Sequence, residues 1–136
     1  MEPSHALQLA IRARLVASTA VTALVPAASI RDANGLPSIF PCILIGESQT
    51  VPGGDVARTR HEVVADLHVW QKETSLAFSK QVAGAVRAAL ADSRWTAAGL
   101  HVADLTVTSS RFLRDPGGAH SHAVISLSAI VQEVTA

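Results

Sequence analysis

Residues 58–71 read Arg58-Thr59-Arg60-His61-Glu62-Val63-Val64-Ala65-Asp66-Leu67-His68-Val69-Trp70-Gln71, and their reading decides the fold. Val63, Ala65, Leu67 and Val69 alternate with Val64, Asp66, His68 and Trp70. A period of two puts one apolar row on one face of a β-strand. The other row mixes an acid, an imidazole and an indole, so the strand predicts one core face and one chemically mixed face. Trp70 on that second face is either covered within the subunit or an anchor for a neighbouring chain, because tryptophan is enriched in interface anchors.

Upstream, Cys42 to Gln49 reads as a strand, and Val51-Pro52-Gly53-Gly54-Asp55 as the turn or loop that follows it. Downstream, Thr74 or Ser75 can cap a helix on which Phe78, Val82, Ala85/Val86 and Ala89/Leu90 keep helical spacing. Gly99 ends that region after Trp95. Leu100 to Leu113 reads as a strand with Leu105 and Val107 inward, closed by the turn Asp115-Pro116-Gly117-Gly118. Ala119 to Val134 is the last strand, with Ala123, Ile125, Leu127, Ala129 and Val131 on a single face.

At the N-terminal end Leu7, Ile11 and Leu15 recur every fourth position. They predict a helix from an N-cap at Ser4 to about Ser18, with Gln8, Arg12 and Arg14 outward. Thr19 to Val25 adds a short helical turn before Pro26 stops it. Arg31 to Pro41 is loop-like, with Asn34-Gly35 and two prolines. The expected class is α+β, in the order α-β-β-α-β-β. An antiparallel sheet of about four or five strands with two main helices packed on one face covers every apolar stripe. No repeat, linker or low-complexity tract divides the chain, so residues 1–136 read as one domain.

The composition narrows the function. The 136 residues carry 11 Lys+Arg against 11 Asp+Glu, a net charge of zero, and only 16% are charged. A neutral chain lacks the electrostatic grip on phosphates of a stand-alone nucleic-acid binder. With 49% hydrophobic residues it is not a disordered chain either. Small solitary domains usually keep their net charge away from zero, so a sparsely charged neutral surface predicts partial coverage by other subunits. Arg12 and Arg14, the apolar run to Ile30 and Ala27-Ala28-Ser29 imitate a signal peptide. The stripe that already starts at Leu7 fits a folded helix better, and the run is too short to span a bilayer. Cys42, the single cysteine, sits in Cys42-Ile43-Leu44-Ile45 and reads as a small buried hydrophobe.

No strong catalytic motif is present: no GxGxxG, Walker loop, HExxH or GxSxG. Gly53-Gly54 and Gly117-Gly118 read as hairpin punctuation. His120 and His122 lie two apart, so on a strand both would point to one face and could chelate one ion, with His68, His101 or Asp104 as third ligand. That pattern keeps open a small metal-dependent enzyme using His120/His122. His5 and His61 show no partner in the sequence. Glu62 and Asp66 share a strand face and read as a polar edge more readily than as a general acid/base pair. Thr106-Val107-Thr108-Ser109-Ser110 is an alternating strand face. A ligand-binding or regulatory α+β domain is a third class of reading.

Several segments together carry a resemblance. Ala6 to Leu15 has the form Ala-Leu-x-x-Ala-Ile-x-Ala-Arg-Leu, and the short helix Val21-Thr22-Ala23-Leu24-Val25 follows. Then come Ile30-Arg31-Asp32, the apolar strand Pro41 to Ile45, Gly46-Glu47, and the strand end Leu67-His68-Val69-Trp70. Arg111-Phe112-Leu113-Arg114-Asp115-Pro116 leads into the strand that begins at His120. This order resembles the tail-completion or tail-terminator proteins of long-tailed bacteriophages and phage-derived gene transfer agents, over nearly the whole chain.

The resemblance implies a structural virion protein, without catalytic residues or cofactor. It implies a homohexameric ring at the head-proximal end of the tail, assembled in the bacterial cytoplasm. Such a ring halts the tail tube protein and meets the head-tail connector (stopper) protein. DNA passes through it without sequence-specific binding, and no membrane is involved. A neighbouring head-tail connector ring protein is the adjacent alternative. Under this reading the candidate contacts are Val51, Pro52, Gly53, Gly54 and Asp55, Trp70, and Asp115, Pro116, Gly117 and Gly118. A ring repeats one heterologous interface, so each subunit would hide two patches of about 800 Å² each.

Overall fold

The structure, a computed structural model, describes residues 2–33, 37, 39–73, 75–91, 95–97 and 99–134. The chain forms helix α1 (Pro3–Ala17), a one-turn helix α2 (Thr19–Thr22), a 3₁₀ turn (Ala27–Ser29), strands β1 (Ile30–Asp32), β2 (Cys42–Pro52) and β3 (Arg60–Gln71), helix α3 (Ala77–Ala89), and strands β4 (Trp95–Ala97), β5 (Leu100–Arg114) and β6 (Ser121–Glu133). The strands make one six-stranded sheet in the order β1-β2-β3-β6-β5-β4.

The four long strands are mutually antiparallel, as the sequence predicts, and the class is α+β. The whole sheet, however, is mixed. Ile30–Asp32, part of which reads as loop in the sequence, runs parallel to Ile43–Ile45 as β1. Trp95–Ala97 adds β4 at the opposite side. Three-residue strands leave too short a pattern for alternation to register, and both exist because a long neighbour offers them hydrogen bonds. Asn34-Gly35 and Thr74 lie outside the described residues.

The core follows from the alternation. Val63, Leu67 and Val69 of β3 and Ala123, Ile125, Leu127, Ala129 and Val131 of β6 are buried under the helices. Leu7, Ile11 and Leu15 of α1 and Val82 and Val86 of α3 close over them. One buried polar contact joins the layers: the hydroxyls of Ser79 on α3 and Ser121 on β6 are 2.9 Å apart, both fully buried.

Several boundaries move for local reasons. The cap of α1 is Glu2, not Ser4: its carboxylate accepts the N–H groups of Ser4 (2.8 Å) and His5 (3.1 Å). The same carboxylate accepts the Thr50 hydroxyl at 2.6 Å, which ties the helix start to β2. Ser18 ends α1 and caps α2 through its side chain. Leu76 is the cap of α3, while Ser75 Oγ accepts the Ala77 N–H at 3.1 Å one position earlier. Arg12 is not a free outward cation. Its guanidinium donates to the carbonyls of Ile30 (2.8 Å) and Ala27 (3.3 Å), which clamps the approach to β1 against α1. Val51 and Pro52 belong to the end of β2 rather than to the loop after it.

Candidate functional site

Helices cover one face of the sheet, and the other face carries Glu62, Val64, Asp66, His68 and Trp70 of β3. Beside them, in register, stand Ile130, Ser128, Ser126, Val124 and His122 of β6. The pleat alone dictates this, since every second residue must turn away from the core.

The polar groups of this face are satisfied in pairs across strands. Ser126 donates its hydroxyl to Asp66 at 2.6 Å, and Ser128 donates to Glu62 at 3.3 Å. Glu62 and Asp66 are thus acceptors for serines rather than an acid/base couple. At the end of the sheet near the β5–β6 turn lies a longer chain. Glu47 Oε1 accepts from His68 Nε2 at 2.8 Å, and His68 Nδ1 shares a proton with His122 Nε2 at 2.8 Å. Trp70 stacks on His122, with ring centroids 3.9 Å apart and planes 9° apart.

Two local features of β2 make this chain feasible. The β2–β3 register shifts between Ile45 and Ser48, which turns Glu47 toward His68. Gly46 leaves the space that the ring occupies: a Cβ there would sit 2.6 Å from His68 Cδ2 and 3.1 Å from the Asp66 carbonyl oxygen. The Gly46-Glu47 pair of the sequence therefore has a spatial reason. The hydrogen bond from His68 holds the Glu47 carboxyl below its ordinary value. Burial, aided by the charges of His68 and Arg111, pushes His122 down to about 4, so its imidazole is neutral near pH 7.

His120 and His122 do not converge. His120 precedes β6, and its Nδ1 meets Asp115 Oδ2 at 2.9 Å, with Phe40 beside its ring. His122 turns instead to His68, and Glu47 occupies the far nitrogen of His68, away from His122. Among the described residues no group of three His, Cys, Asp or Glu could hold a metal ion. His61, partnerless in the sequence, meets Glu133 at 3.1 Å, because β3 and β6 run antiparallel and bring residues 72 positions apart together. Cys42 is buried, and burial pushes its thiol up.

The predicted contact residues fall into two groups. Gly53, Gly54 and Asp55 begin the β2–β3 connection of residues 53–59, where the Asp55 carboxylate accepts the N–H groups of Thr59 and Arg60, each at 3.2 Å. Asp115, Pro116, Gly117 and Gly118 form the β5–β6 turn, closed by the Gly118 N–H on the Asp115 carbonyl (2.9 Å), with Gly118 at φ 70°. Register places these turns at opposite ends of the sheet: Pro52 pairs with His61, whereas Arg114 pairs with Ser121. β3, with 12 residues between these ends, spans roughly 40 Å. Trp70, half-buried, lies at the same end as the β5–β6 turn, two strands from Leu113.

Comparisons with known proteins agree with this architecture. A chain from the structure described as "Virion of native gene transfer agent (GTA) particle" superposes with a TM-score of 0.80 at 21% identity. The alignment covers 95% of this chain and 96% of that one, a likeness of fold. A search of curated proteins returns no match. The model of the family "Tail completion protein gp17" matches residues 9–132, which runs from the middle of α1 almost to the end of β6 and takes in α2, α3, β1 to β5 and both turns. The chain therefore belongs to the tail completion protein gp17 family, a family of structural phage-tail proteins.

Proposed function

We propose that this protein is the ring-forming subunit that ends a phage-like tail tube and joins it to the head connector. Six copies surround the channel at the head-proximal end of the tail, and DNA passes through without base-specific contacts. The role is structural rather than catalytic. The observation that carries the reading, beyond family membership, is the placement of two well-formed turns at opposite ends of one long sheet. A subunit between two partners needs two separated axial contacts. The Gly53–Asp55 connection with Val51 and Pro52 supplies one, and Asp115–Gly118 with Trp70 nearby supplies the other.

Charge is consistent with this role. A net charge of zero gives no overall hold on phosphates, as suits a passage through which DNA must slide. The test is genetic and morphological. Deleting the gene in the producing bacterium should yield tails of uncontrolled length that do not join heads, visible by electron microscopy. Tails of normal length joined to heads in the deletion strain would refute the role.

A further inference from the structure

The sheet has two long edges that nothing described in the subunit covers. β1 pairs only with Ile43–Ile45 of β2, and β4 only with Leu100–Val102 of β5. Beyond these short strands, Glu47–Pro52 and Asp104–Arg114 have a strand on one side alone. Among the described residues no other backbone group bonds to either segment.

Exposed edges invite pairing, and proteins that must stay monomeric guard them with prolines, lysines or brevity. The β5 edge has neither a proline nor a lysine, and the open β2 edge has a proline only at its last residue, Pro52. A register shift between Val107 and Ser109 interrupts it once, and below that shift Ser109–Arg114 is six regular residues long.

We propose that the Ser109–Arg114 edge of β5 receives the Glu47–Pro52 edge of β2 from a second copy of this chain, which extends the sheet from subunit to subunit. Three features select this occupant. The strand directions fit: β2, β3, β6 and β5 alternate, so β2 of the next copy arrives antiparallel to β5 and continues the alternation. The charges fit: exposed Arg111 stands on one edge and Glu47, still 69% exposed while bonded to His68, on the other. The contact is heterologous, with each copy offering one edge of each kind, and such contacts build rings when the rotation closes.

The covered parts of the two edges lie at opposite ends of the sheet, so successive copies are also staggered along the strands. Closing a sheet on itself requires such a stagger, with strands tilted to the axis. The proposal rests on the ring reading above and names the surface that makes the ring.

The experiment is cysteine cross-linking in a Cys42→Ala background, on purified protein and on particles from the producing bacterium. Gln49→Cys is combined in turn with Ser109→Cys, Arg111→Cys and Leu113→Cys. All four positions pair with residues of the helix-free face. Within one chain β2 and β5 are three strand spacings apart, about 14 Å, which no disulfide spans, so any bond is between copies. One register should give a ladder of covalent multimers, at least tenfold more intense than a Gln49→Cys/Arg12→Cys control. Separately, Arg111→Glu should weaken assembly at least tenfold at low salt, and adding Glu47→Arg should restore it, with melting temperatures showing that each variant folds. A ring of normal mass without cross-links in any register overturns the edge proposal and leaves the ring reading standing. Monomers in the purified protein and no multimer in particles overturn both.

Discussion

The two faces of the sheet are made from the same strands yet obey different rules. On the helix-covered face the central residues of β3 and β6 are apolar, and Leu67, Ile125 and Val131 have essentially no exposure. On the other face the same strands carry serines hydrogen-bonded to acids and the Glu47–His68–His122 chain beneath Trp70. One face is fixed by volume and the other by hydrogen-bond geometry. The second face is therefore where side chains are available for partners, while the first carries most of the stability.

The contrast is sharpest in core truncation. Ile125→Ala should destabilise by about 2–5 kcal/mol, because removed methylenes leave a cavity in the core. Chemical denaturation would measure it, and a loss under 1 kcal/mol would break the distinction between the faces. Next in size is the polar contact of the covered side. Ser79→Ala strands the buried Ser121 hydroxyl at a cost of about 1–3 kcal/mol, and Ser79→Ala/Ser121→Ala should recover part of it.

On the open face, Gly46→Ala forces the His68 ring aside and should cost about 1 kcal/mol while breaking its bond to Glu47. Imidazole NMR shifts of His68 would report the displacement directly. The pH dependence has a definite sign. His122 titrates near 4 in the folded chain against 6.5 ordinarily, so below about 6.5 the unfolded state takes the proton first. Stability contributed by neutral His122 is full above 6.5 and is lost progressively as pH falls toward 4. His122→Phe, which keeps a ring against Trp70, should flatten the stability curve between pH 6.5 and 5, above the titration of Glu47 and Asp115, both held low by hydrogen bonds from histidines. Smallest of all, Val64→Ala at a 36% exposed open-face position should change monomer stability by no more than about 0.5 kcal/mol.

Much of the fold was legible because it depends on local periodicity. The four long strands, α1 and α3 and the turn at Asp115–Gly118 all follow from patterns within ten or fifteen residues. The candidate site was legible only as an inventory. Gly46-Glu47, His68 and His122 are visible in the sequence, but the spacing of two offers only His120 as a neighbour for His122. It is β3–β6 register that hands His122 to His68, and the β2 bulge that delivers Glu47. Glu2 was missed as a cap because its carboxylate works jointly on Ser4, His5 and Thr50, the last of them 48 residues away.

By itself the sequence determined which residues lie inside, because burial depends on period and polarity and both are written locally. It also determined the family, through the order of its segments from Ala6 to His120. The tertiary structure alone decided the partners: β1 beside β2, His61 with Glu133, and two uncovered edges on opposite sides of the sheet. Those depend on which strands pair and in what register, between segments far apart in the chain. One residue of slip between β3 and β6 would already part His61 from Glu133 and His68 from His122.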